Sequence, residues 1–344
     1  MLGQISPSGQ GRVQEAANIR RQFHGNSLEL HSVIYPIDYC TSGCTYCGLS
    51  AIIPKGAHTV RGAMPPADFA WLMGELQRQG YGVHELVFGT VSEDQGRLAS
   101  RVARWVERAR ALAPDAYLIV NCDTLREDGY RTLKSAGADA VWTFMEVMTP
   151  QLYSDKHRYG LKSDQPQRKE APQRARAAGL AVGNALLWGL VTDWRAELEQ
   201  FVVWAHEVGG FDFVATPVHR TVTVTPGSVV SPLMELTPPL NVDEPLYLEI
   251  IARLRIAFAE AHLVGNTRLD PGFVYGHASE IVDMCNGYVY AGSREHPSEG
   301  LAGAGHIATN GVQMDFFNPG AKLGDIQWLC PPTIRVGSSL PRTP

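Results

Sequence analysis

Along this 344-residue chain, eight short strand-like runs alternate with helical runs, and that alternation restricts the fold more than any other feature. The strand-like runs lie at about 31–36, 85–89, 117–121, 140–146, 182–187, 211–215, 263–267 and 287–291. Between the first two, Met64-Pro65-Pro66 opens a helix with apolar positions at Phe69, Leu72, Met73 and Leu76, and Gly80 to Gly82 stops it. Further helices are predicted at 95–113, 125–136, 150–156, 166–178, 194–208, 246–261 and near 277–284. Strands that alternate with helices form parallel βα units. The class is therefore α/β. Eight units favour a (βα)8 TIM-type barrel, closed or nearly closed, as a single catalytic domain, although an open sheet satisfies the same alternation. At about 150 residues per domain the length suggests two domains, but one barrel of about 250 residues or more accounts for it as well. Residues 1–27 read as an N-terminal extension, frayed to 13 with a short helix at 13–23. Residues 28–320 read as the barrel and 321–344 as a tail.

Composition narrows the function classes. Hydrophobic residues make up 44% of the chain, enough for a large core. A net charge of −5 argues against a general nucleic-acid binder. No apolar run reaches the roughly 18–20 residues of a membrane span, and residues 1–14 lack a signal pattern. The expected compartment is the cytoplasm.

The chemistry concentrates in Cys40-Thr41-Ser42-Gly43-Cys44-Thr45-Tyr46-Cys47. This C-x3-C-x2-C loop follows the first strand and so falls on the barrel face where active sites lie. Three thiolates on one short loop suit a [4Fe–4S] cluster with one iron left open. Part of a zinc site is the alternative, but a structural zinc site needs four ligands and no second C-x2-C is present. Disulfides fit poorly in so tight a loop without a secretory signal. Cys122, Cys285 and Cys330 are far apart and read as ordinary buried thiols. Polar residues ending the later strands should converge on the same face: Thr90, Asn121, Asp123, Glu146, Arg220, Arg268 and Ser293.

This cysteine pattern resembles that of the radical S-adenosylmethionine (SAM) superfamily. Downstream, 144–153, 162–174 and 178–190 resemble the aromatic amino-acid lyase branch, which includes tyrosine and tryptophan lyases, within the biotin synthase-like group. Thr267-Arg268 resembles that branch's Thr-Arg-Glu, Ala291-Gly292-Ser293-Arg294 its Ala-Gly-Ser turn, and Gln313 with Asp315 its closing motif. The resemblance covers about 31–315. It implies a [4Fe–4S] cluster on Cys40, Cys44 and Cys47, with SAM on the open iron cleaved to a 5′-deoxyadenosyl radical. It implies SAM contacts from Tyr46 and the SAM carboxylate on Arg168, with a SAM group satisfying Glu146. Thr90, Asn121 and Asp123 are further candidates on the SAM side. On the substrate side it implies a carboxylate held by Arg268, with Ser293 beside it.

Departures bear on the substrate. Gly89-Thr90-Val91-Ser92-Glu93 stands where the superfamily often has Gly-Gly-Glu, so Glu93 or a backbone carbonyl is expected to substitute. Pro217-Val218-His219-Arg220 stands where the lyases have Pro-Arg-x-Arg, which makes His219 and Arg220 the expected specificity residues. Leu269 replaces the acid of Thr-Arg-Glu, and a second C-terminal cysteine cluster is missing. The expected activity is hydrogen abstraction from an amino-acid substrate followed by carbon–carbon cleavage, with a donor such as flavodoxin or ferredoxin supplying the electron. The alternatives are a mutase or cyclase nearer biotin synthase or methylornithine synthase, and a non-catalytic iron–sulfur protein.

Overall fold

The computed structural model describes residues 6–37, 39–52, 62–221, 223–224, 232–265, 269–292, 297–299, 305–309, 312–316, 327, 329–338 and 340–341. Eight strands form the barrel: β1 (Ser27–Ile37), β2 (Val83–Phe88), β3 (Tyr117–Asn121), β4 (Ala140–Trp142), β5 (Ala181–Ala185), β6 (Phe213–Ala215), β7 (His262–Gly265) and β8 (Met284–Gly292). Each pairs in parallel with the next. Parallel pairing of β8 with β1, from Glu29 opposite Met284 to Tyr35 opposite Ala291, closes the ring. The closed (βα)8 barrel is thus the architecture, and the open sheet is excluded.

Period-two alternation places alternate strand residues inside the barrel and against the helices. Val83, Tyr117, Ile119, Ala140, Trp142, Ala185, Phe213, Ala215, Val264 and Met284 pack the centre. Leu28, Leu30, Ile34, Leu86, Leu118, Val120, Val182, Val214 and Leu263 join the larger cluster under the helices. Those helices are α1 (Pro7–His24), α2 (Pro66–Arg78), α3 (Gln95–Leu112), α4 (Glu127–Ser135), α5 (Pro150–Lys156), α6 (Gln165–Ala177), α7 (Trp194–Glu207), α8 (Glu244–Ala257) and α9 (Pro271–Gly276). The logic of α3 is typical. The Asp94 side chain caps it by accepting from Arg97 N, and Leu98, Val102, Trp105, Val106 and Ala109 form the buried face.

Four local readings change. α1 starts at Pro7 rather than 13, because Ser6 accepts from Gly9 N and Pro7 fits the first turn. It docks on α8 through Arg12 and Glu249, 3.3 Å apart. β4 ends at Trp142 rather than 146, because the Asn184 side chain takes over its ladder, accepting from Met145 N at 2.8 Å and donating to Thr143 O at 2.7 Å. After β7 the helix sits at Pro271–Gly276, capped by Asp270, and a 3-10 turn follows at Ala278–Glu280. Within 321–344, read as a tail, Arg335–Gly337 adds a parallel strand to the start of β1. Beyond the barrel, Pro297–Glu299 pairs antiparallel with β8, and Gly305–Thr309, Val312–Phe316 and Thr223–Val224 form a small antiparallel sheet.

No helix among the described residues is long and apolar enough to cross a membrane.

Candidate active site

A cavity of about 270 Å³ opens at the C-terminal ends of the strands and reaches down into the barrel. The three cysteines of the loop after β1 line it. The loop is fixed on two sides. On one, Thr41 N donates to Thr90 O at 2.8 Å, and Thr90 N donates to Cys40 Sγ at 3.2 Å. On the other, Gly43 N donates to Tyr159 O, Arg158 N to Gly43 O and Thr45 N to Lys156 O, docking the loop on the end of α5. Two glycines permit the approach. A Cβ at Gly89 would lie 2.6 Å from Tyr39 O and 2.7 Å from Cys40 Cβ, and one at Gly43 would lie 2.5 Å from the Tyr159 ring.

The donor set suits a metal cluster. Burial pushes the Cys40 and Cys44 thiols above their usual range. Buried thiols become thiolates when a cation is bound to them. Three of them in one cavity fit the three-cysteine ligation of a [4Fe–4S] group. Cys122, which also lines the cavity, and Cys285 and Cys330, which do not, are free buried thiols, as their spacing suggested.

Two ion pairs flank the loop, one fully buried and one partly buried. Asp123, just past β3, accepts from Arg168 of α6, from Thr90 Oγ1 at 2.5 Å and from Thr124 N at 2.8 Å. Arg168 also donates to Phe144 O at 3.1 Å; its Nε, buried beside the cavity, has no partner. Arg168 is only 2% exposed, so it is not on a solvated helix face. Burial opposes its charge, but Asp123 outweighs that and raises its pKa. Glu146, past β4, accepts from Lys162 Nζ at 2.8 Å, and its other oxygen lies 3.0 Å from His157 Nε2. Burial alone would raise this carboxyl. Lys162 and His157 outweigh burial and hold it down to about 2. The same pair raises the Lys162 pKa against its own desolvation. Glu146 has φ +66°, the one positive φ at a non-glycine among the described residues. Such a conformation costs about 1–3 kcal/mol and clusters at functional sites. Tyr46 O–H pairs with His157 Nε2 at 2.8 Å, and the Lys162 ammonium lies 6.0 Å from the Tyr46 ring centre.

Of the residues read from sequence, Cys40, Cys44, Cys47, Tyr46, Thr90, Asn121, Asp123, Glu146, Arg168 and His219 all line this cavity. Asn121 points inward, not toward the loop: its amide donates to Glu85 at 2.8 Å. Glu93 is outside the lining and ties Thr41 to Leu161 N. Arg220 is also outside the lining. It reaches Asn241 Oδ1 at 3.4 Å with Asp243 and Glu244 nearby, and burial lowers its pKa. Arg268 and Ser293 lie outside the described residues. Sequence reasoning missed Lys162, which lies within the 162–174 stretch, and Glu85. An acid in the middle of a strand that otherwise reads Val83-His84 and Leu86-Val87-Phe88 was the available signal for Glu85, since such a group is costly unless bonded.

No family model matches the chain. Two curated relatives do. The 2-iminoacetate synthase of Escherichia coli strain K12 is 25% identical over 93% of this chain and 80% of its own length. The 2-iminoacetate synthase of Salmonella typhimurium is 24% identical over 89% and 75%. Among solved structures, the [FeFe]-hydrogenase maturase HydG of Carboxydothermus hydrogenoformans superposes with TM-score 0.75 at 19% identity, over 93% of this chain and 70% of that one. Methylornithine synthase (PylB) gives TM-score 0.68 at 17% identity, over 83% and 79%. These structures share the fold.

Proposed function

We propose that the chain is a radical SAM enzyme related to the tyrosine lyases and that it cleaves a carbon–carbon bond of an aromatic amino acid. The observation that carries the reading is the single cavity joining the three cysteines, the two strand-end ion pairs and the aromatic barrel interior. Cys40, Cys44 and Cys47 would hold the [4Fe–4S] group, and with SAM bound this supplies a 5′-deoxyadenosyl radical, the hard chemistry that such cofactors carry. The chain's own residues supply placement. Thr90, Asp123 and Arg168 form one charged wall beside Cys40, and Tyr46, His157, Glu146 and Lys162 form the other beside Cys44. SAM carries both an ammonium and a carboxylate, and walls that offer carboxylate and cation together suit it. Each wall is cross-linked by hydrogen bonds, so it is held in place before the ligand arrives, which is what orientation requires. His219, Arg268 and Ser293 remain our candidates for the substrate side, with Arg220 as an outer contact. A flavodoxin or ferredoxin would supply the electron.

The test is anaerobic reconstitution with iron, sulfide, SAM and dithionite, followed by a panel of L-amino acids. An aromatic amino acid should raise 5′-deoxyadenosine above the substrate-free background and release a fragment of its own skeleton. A rearranged product of unchanged mass would move the reading to a mutase of the methylornithine synthase kind. Absence of any stimulation across the panel would count against an amino-acid substrate.

A further inference from the structure

We propose that Glu85 is the residue that selects the substrate, accepting a hydrogen bond from a donor at the far end of an aromatic side chain. The inference rests on the amino-acid reading above and names what that amino acid must carry.

Glu85 is buried in the middle of β2, 4% exposed, and lines the cavity below the cysteine loop. It precedes the end of β2 at Phe88 by three residues, about 10 Å of extended strand, and Thr90 lies two residues further on. Thr90 contacts Cys40, so Glu85 marks the end of the cavity opposite the cysteines. Two side chains hold its carboxylate in place. Asn121 Nδ2 donates to Oε1 at 2.8 Å, and His31 Nε2 lies 3.2 Å from Oε2. An ionised carboxylate has about four acceptor positions, so these two contacts leave acceptor capacity for a ligand. Between the cysteines and Glu85 the wall is aromatic. Trp142 and Phe144 stack with ring centres 5.8 Å apart, and His31 meets Trp142 edge-on at 5.7 Å. Such a wall suits a flat ring.

The surroundings of Glu85 also discriminate between a neutral donor and a cation. His31 Nδ1 lies 3.1 Å from Cys285 O, and Nε2 faces Glu85. Both ring nitrogens therefore face acceptors. Glu85 already accepts from Asn121 and faces His31. A lysine-like ammonium arriving there loses its hydration in full. A neutral N–H or O–H donor, as on an indole or a phenol, has no charge to desolvate.

The experiment uses the reconstituted holoenzyme and measures kcat/KM for stimulated 5′-deoxyadenosine formation in two matched pairs. Tyrosine is compared with phenylalanine, and tryptophan with 1-methyltryptophan, with lysine as the cationic probe. A site built around a hydrogen bond rejects the analogue lacking the donor by far more than a hydrophobic pocket rejects a lost methylene. The wild type should therefore favour the donor-bearing member of the active pair by at least about 100-fold. In Glu85→Leu that ratio should collapse to below about 10-fold, and Glu85→Gln should fall between. A purely structural role would lower both members together and leave the ratio alone. Because the wild-type pairs need no variant, misfolding of Glu85→Leu does not remove the test. Phenylalanine within threefold of tyrosine, 1-methyltryptophan within threefold of tryptophan, lysine as the preferred substrate, or an unchanged ratio in both variants overturns the proposal and leaves the amino-acid reading standing. Absence of stimulation by every amino acid removes both.

Discussion

Lys162→Met is the perturbation whose outcome can be worked furthest from the geometry. It removes the ammonium 2.8 Å from Glu146 and replaces it with an apolar chain of similar length. Removing one member of a buried ion pair costs about 3–5 kcal/mol, because the remaining charge is stranded. Here Glu146 keeps His157, and the Lys162 side chain is 20% exposed, which places the expectation at the lower end, about 3 kcal/mol. Domain stabilities are about 5–15 kcal/mol, so the loss is easily read by anaerobic urea denaturation followed through tryptophan fluorescence. The pH dependence gives the sharper check. In the wild type the folded Glu146 pKa is depressed to about 2. Its contribution is fully present above the unfolded carboxylate value and is lost as pH falls toward the folded one. In Lys162→Met burial becomes the dominant influence and turns the shift upward, so protonation relieves the stranded charge. The deficit should be largest near pH 7 and should narrow as pH falls toward 4. The double variant Lys162→Met/Glu146→Gln should recover most of the loss, because no charge is left unpaired. A single variant within about 0.5 kcal/mol of wild type at pH 7, or a deficit constant from pH 7 to pH 4, would refute the reasoning.

Three further outcomes follow from the same site. Alanine at Cys40, Cys44 or Cys47 should abolish cluster iron and stimulated SAM cleavage, whereas Cys122→Ala should keep the iron content of the wild type, as measured by iron and sulfide assay. Gly89→Ala places a methyl 2.6 Å from Tyr39 O and 2.7 Å from Cys40 Cβ; overpacking of this kind costs about 1–3 kcal/mol, and iron loading should fall because the methyl displaces the loop. Arg168→Met strands Asp123 and should cost about 3–5 kcal/mol together with weaker SAM binding by calorimetry. Normal stability with weakened SAM binding would mean instead that Arg168 serves the ligand and that Asp123 finds another partner.

Much of the framework is set locally and was therefore legible in the sequence. The eight strands depend on runs of branched and aromatic residues, the helices on apolar spacing and caps, and the closing number of units on counting them. The cysteine loop is contiguous, so its chemistry could be read without the fold. The same local logic explains the errors. Ser6-Pro7 and Asp270-Pro271 are cap signals that lie outside the helix spans predicted from apolar spacing, and the end of β4 is set by Asn184 from the next strand. What tertiary structure alone decided is which polar groups face one another. Asp123 meets Arg168 across 45 residues, Glu85 meets Asn121 across 36 and His31 across 54. Arg220, at the strand-end motif thought to set specificity, turns out toward Asn241. Sequence periodicity fixes which face of a strand a residue occupies. Its partner is fixed by strand order, register and the helix lying over that strand end, and by the physical demand that every buried charge be matched by whatever those elements bring within reach.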